Sequence, residues 1–147
     1  MYKHILVPTD GSELSDKAIN AAIDFARETG ARVTGFTAVP EYQVPGEAEL
    51  MSRRAVSPDQ HERNSQRLAQ EVLGRIAERA RFTGVEFDTA YVQSDRPHEA
   101  IIEAARKHGC DLIFMASHGR RGILKLIHGS ETQGVLTHSS IPTLVFR

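Results

Sequence analysis

The residues with the most evident chemical potential lie in one stretch, SHGRRGILKLIHGSETQ, from Ser117 to Gln133. Gly119, Gly122 and Gly129 permit backbone conformations and close approaches that a Cβ would hinder, so peptide N–H groups there can point at a ligand. Concavities of that kind bind anions. Ser130 and Gln133 have the S-x-x-Q form of a capping box, which predicts that Gly129 and Ser130 open a helix. Free N–H groups and the helix dipole at such a start favour phosphate. Arg120, Arg121 and Lys125 add positive potential, with no acid between His118 and Ser130. The alternative is a plain loop: glycines shaping turns, solvated arginines, and a Ser130 that only caps its helix.

The elements that must hold this stretch are legible in the flanking pattern. Four short apolar runs read as buried strands: HILVPTD, ARVTGFTAV, CDLIFMAS and IPTLVFR. A fifth, VEFDTAYVQ from Val85, alternates more and predicts a less buried strand. Ile19, Ala22, Ile23 and Ala26 mark one face of a first helix that ends at Gly30. Ala69, Val72, Leu73, Ile76, Ala77 and Ala80 mark a second, ending before Gly84. Ile101, Ala104 and Ala105 mark a third, with Pro97 in its first turn, Gly109 beyond its end, and Ser94 and Asp95 as candidate caps. A weakly patterned fourth follows Ser130.

Strands alternating with helices predict an α/β fold, a doubly wound five-stranded parallel sheet covered on both faces. In such a sheet ligands bind beyond the carboxyl ends of the strands, where strand order reverses. If the first and fourth strands are neighbours at that point, the loop PTDGS, Pro8 to Ser12, and the loop after the fourth strand face one crevice.

The 147 residues suit a single domain spanning 1–147. Only 41–57, polar and 17 residues long, resists assignment, and it reads as a mobile loop or flap, or as partly disordered. With 18 basic and 19 acidic side chains the net charge is -1, which gives no expectation of nucleic-acid or membrane binding. A single cysteine, Cys110, and no run of roughly 20 apolar residues lead to the expectation of a cytoplasmic protein. The apolar last strand, with Pro142 near its start, predicts an edge that a second copy of the chain would cover through residues 141–147.

Other signatures are missing from the sequence. It contains no G-x4-G-K-[S/T] phosphate loop, no G-x-G-x-x-G, no H-x-G-H and no H-E-x-x-H. The seven histidines form no metal pattern, so no dedicated metal site is expected, and His118 and His128 merely flank the glycine-rich loop. No nucleophile and base pair is evident, so no catalytic residue is assigned. Where the loop holds a phosphate ligand, at most weak hydrolysis of it is expected.

From ILVPTDGS through MASHGRRG and GSETQ to HSSIPTLVFR, the chain resembles the universal stress protein family over essentially its whole length. ATP-binding members carry G-x2-G-x9-G-[S/T]. Gly119, Gly129 and Ser130 match its second half, while the first glycine falls on Ala116. Alanine can serve there if the backbone angle is ordinary, and fails if φ must be positive or if the ribose packs directly against the Cα.

The resemblance implies a sheet of order 3-2-1-4-5, a homodimer and ATP, with magnesium or manganese on its phosphates. It implies that Gly119, Gly129 and Ser130 hold the phosphates, with Ser117, His118, Arg120, Gly122, Glu131 and Thr132 nearby and Ala116 beside the ribose. Pro8, Thr9 and Asp10 would form the opposite wall, and Ala38 would meet adenine through its backbone. Asp10 would bind a ribose hydroxyl or an ion, or only stabilise the turn into Gly11 and Ser12. The resemblance also covers members that bind no nucleotide and act through protein partners.

Overall fold

The computed structural model of the chain describes residues 1–117 and 130–147. Each apolar run becomes a strand: β1 His4–Pro8, β2 Arg32–Val39, β3 Phe87–Gln93, β4 Leu112–Ala116 and β5 Thr143–Phe146. They form one all-parallel sheet in the order β3-β2-β1-β4-β5, which is the expected arrangement. β1 and β4 are buried throughout, whereas β3, the run that alternates, lies at one edge and is only partly covered.

The helices are α1 Glu13–Thr29, α2 Glu47–Met51, α3 Pro58–Thr83, α4 Pro97–Lys107 and α5 Ser130–His138. Their boundaries follow local chemistry. Ser12 and Ser57 accept the amides of Ser15 and Gln60 as N-caps, and Pro58 occupies the first turn, where its missing donor costs nothing. Gly30 and Gly84 end α1 and α3 with φ of 73° and 75°.

α1 and α3 cover one face of the sheet, where Ile5, Val7, Ile19, Ile23, Ile76 and Phe114 share a core. The other face packs Leu6, Phe36, Ile113 and Met115 against Ile101 and Ala105 of α4 and Val135 of α5. Gly35 of β2 lets α3 sit tightly on the sheet: a Cβ there would stand 2.9 Å from Ile76 Cδ1. Ile76 is wholly buried, and burying a side chain of that size contributes about 1.5–3 kcal/mol.

The 41–57 segment contains α2, and in it Glu41 N and Gln43 Nε2 donate to Asp95 while Tyr42 Oη donates to Val56 O. The expectation that Ser94 and Asp95 cap a helix is corrected. Arg96 holds the N-cap position with no side-chain cap bond, its Nη1 donating instead to Glu99, and Ser94 Oγ accepts from Arg96 N. His4, in the buried strand β1, closes a chain of hydrogen bonds across three strands. Thr34 Oγ1 donates to Asp88 Oδ1 at 2.5 Å, so it must accept from the Nε2–H of His4 at 2.6 Å. Burial, and then the charge of Arg32, hold the His4 imidazole below its usual pKa.

Candidate functional site

The order of the strands reverses between β1 and β4, because β2 and β3 extend the sheet to one side and β5 to the other. β1 stays paired with β2 out to Pro8, but with β4 it is paired only at Ile5–Leu112 and Leu6–Ile113. The two strands thus lose each other before their carboxyl ends, where doubly wound sheets open a crevice.

On the β1 side the wall is a tight, self-bonded turn. Thr9 is buried, its amide donating to Phe36 O at 2.9 Å and its hydroxyl accepting from Gly11 N at 3.1 Å. Gly11 has φ of 79°, which disfavours any other residue. Asp10 Oδ1 accepts from Ser12 N and from Ser15 Oγ, both at 2.9 Å, so the Asx-type turn is made. Arg75 of α3 reaches this turn, donating to Gly11 O at 3.3 Å and pairing with Asp16. Arg75 and Gly11 are 64 positions apart, so periodicity could not have found that clamp.

On the β4 side, Ala116 ends the strand in extended backbone, since Arg53 is the one non-glycine residue with positive φ among those described. The angle at Ala116 is therefore one that alanine adopts without strain. Ser117 is buried, with its amide donating to Phe146 O at 2.8 Å. Thr132 of α5 is buried too, and its hydroxyl donates to Ala116 O at 2.9 Å, fastening the first turn of the helix to the end of β4. Ser130 begins α5 and is exposed.

Of the expected capping-box pair, Gln133 donates its Nε2 forward to Thr137 Oγ1 at 3.2 Å. Glu131 turns away toward α4, where its Oε2 accepts from His98 N at 2.7 Å and meets His98 Nδ1 at 3.0 Å. Nothing in the sequence pattern signals this contact.

Ala38, half-buried near the end of β2, is one strand further from the switch point. The fold thus brings Pro8, Thr9, Asp10, Ala116, Ser117, Ser130 and Thr132 to the ends of neighbouring elements. His118, Gly119, Arg120, Gly122 and Gly129 lie outside the described residues. Among the described residues no group of three His, Cys, Asp or Glu side chains could hold a metal ion. No helix among them is long and apolar enough to cross a membrane.

The profile of the universal stress protein family matches residues 1–147. The chain is 34% identical over 151 residues to a universal stress protein of Thermus aquaticus, covering all of both chains. To one of Methanocaldococcus jannaschii it is 31% identical over 152 residues, covering 100% of this chain and 83% of that one. UspA of Lactobacillus plantarum superposes with a TM-score of 0.79 at 23% identity, covering 99% and 98% of the two chains.

Further proteins of the same fold were solved with nucleotides. One from Archaeoglobus fulgidus holds dAMP (TM-score 0.64, 16% identity, 99% and 98% coverage), and one from Arabidopsis thaliana holds AMP (0.67, 12%, 98% and 90%). Another universal stress protein was solved with cAMP (0.73, 21%, 99% and 97%). Taken with the sheet order and the paired loops at the switch point, the match over the whole chain shows that it belongs to the universal stress protein family.

Proposed function

We propose that the protein holds an adenine nucleotide, ATP with magnesium or manganese, in the crevice where β1 and β4 part. The observation that carries this reading is the early end of the β1–β4 ladder, flanked by the Thr9–Gly11 turn and by Ala116 in ordinary extended backbone. The extended angle supports alanine at the first motif position, because its methyl group requires no strained backbone there. The nucleotides held by family members of the same fold support adenine as the base.

In this reading the candidate set runs from Pro8, Thr9, Asp10 and Ala38 to Ala116, Ser117, Ser130 and Thr132, together with the glycine-rich residues between. The protein acts as a cytoplasmic homodimer joined through β5, and nucleotide binding alters the dimer or the 41–57 segment and so its partners. Slow hydrolysis is the most chemistry that the reading requires.

Calorimetric titration of nucleotide-free protein with ATP and magnesium tests it, beside a Gly119→Asp control. Micromolar binding by the parent alone, about -8 kcal/mol, is expected. Equal binding by both, or none by either, refutes the reading. A second reading, an interaction protein without nucleotide, is favoured by the exposed apolar side chains of Val44, Leu50, Met51 and Val56. It predicts the no-binding result.

A further inference from the structure

The first turn of α5 is held from two sides. Thr132 fastens it to β4 through Ala116 O, and Glu131 fastens it to α4. α4 has no side-chain cap of its own, with Arg96 at the N-cap and Pro97 at the first position. Its His98 N–H is one of the donors that a helix start leaves without an internal partner. Glu131 Oε2 accepts that N–H at 2.7 Å and also faces His98 Nδ1 at 3.0 Å, which requires the proton on Nδ1. The positive end of the α4 dipole adds to the attraction.

The two helices come close enough for this because residue 134 is glycine: a Cβ there would lie 2.5 Å from His98 Cγ. The far end of the same contact is closed by His138, whose ring stacks on His98 with centroids 6.0 Å apart.

We propose that Glu131 and His98 are positioning residues, a latch that locks the first turn of α5 against α4 and thereby sets the affinity of the site for the phosphates of its nucleotide. This rests on the nucleotide reading above. A carboxylate in the first turn of a helix that receives phosphate would otherwise weaken binding by repulsion. Committed to an amide, an imidazole N–H and a helix dipole, it instead holds Ser130 and Thr132 in place.

The latch and a bystander charge predict opposite signs. Removing a bystander carboxylate tightens anion binding; removing a latch loosens it. The experiment is titration with magnesium-ATP of the parent, Glu131→Ala, Glu131→Gln and Glu131→Asp, with amide exchange of residues 98–100 and 130–133 in the ligand-free proteins.

Expected are about tenfold weaker binding for Ala and for the too-short Asp, binding within about threefold of the parent for Gln, which keeps an acceptor oxygen, and faster exchange at both segments in Ala and Asp only. Tighter or unchanged binding in Ala, or Gln no better than Ala, overturns the proposal. If the parent binds no ATP, the nucleotide reading falls and takes the affinity claim with it. The exchange data still decide the latch: unchanged exchange at 98 and 130–133 in Glu131→Ala refutes it.

Discussion

An alanine at position 134 sets two effects of similar size against each other. Gly134 lies in the middle of α5, and replacing a mid-helix glycine by alanine stabilises a helix by about 1 kcal/mol. In this protein the new Cβ would stand 2.5, 2.8 and 2.9 Å from Cγ, Cδ2 and Cβ of His98. Carbon atoms prefer roughly 3.5–4.0 Å, so the closest contact is short by about 1 Å. The imidazole cannot simply swing aside, because Glu131 holds its Nδ1 and His138 stacks on its face. α5 must therefore back away from α4.

Overpacking of this kind costs about 1–3 kcal/mol, and loosening the Glu131 contacts adds about 1 kcal/mol more. The net expectation is destabilisation by about 1–3 kcal/mol, read as a lower urea midpoint at unchanged m-value, and a fall in Tm of roughly 2–12 °C. The same change in a His98→Ala background removes two of the three close atoms, so its cost should shrink by at least about 1 kcal/mol. A Gly134→Ala protein stabilised by about 1 kcal/mol would refute the packing argument, because that is the helix propensity acting alone. An equal cost in both backgrounds would refute it as well.

Three further outcomes follow from the same structure. The folded protein holds His4 below its ordinary pKa, so the folded state binds fewer protons than the unfolded one. Its contribution is complete above about pH 6.5 and declines as pH falls below that value; urea unfolding between pH 7.5 and 5 should show the decline, and His4→Gln should flatten it. An unchanged slope in His4→Gln would remove His4 as its source.

Burial, reinforced by Asp88 and Asp111, pushes the Cys110 thiol up to about 12, so alkylation at pH 8 should run about a thousandfold slower in folded than in urea-unfolded protein. Similar rates would place the thiol in solvent. Asp95→Ala, which releases Glu41 and Gln43, should speed proteolysis and amide exchange across 41–57 while shifting global stability by less than about 0.5 kcal/mol. Unchanged exchange there would mean that Asp95 does not restrain the segment.

The sequence by itself determined the number, type and alternation of the long elements, since apolar period and helix punctuation are local. Ile19, Ala22, Ile23 and Ala26 reveal the buried face of α1, and Gly30 its end, with no knowledge of what they pack against. Alternation of strand and helix then leaves few topologies, and the switch point puts Pro8–Asp10 beside Ala116 and Ser117.

Tertiary structure alone decided the contacts between residues far apart in the chain. Asp95 reads locally as a cap but is captured by Glu41, and Glu131 sits in the first turn of its own helix yet serves the start of another. His4, polar in an apolar run, is buried because Thr34 and Asp88 on neighbouring strands complete its hydrogen bonds. A polar side chain has no periodicity that announces its partner. Its destination is set by whichever unpaired donor or acceptor the fold brings within about 3 Å, and that choice exists only after the apolar faces have packed.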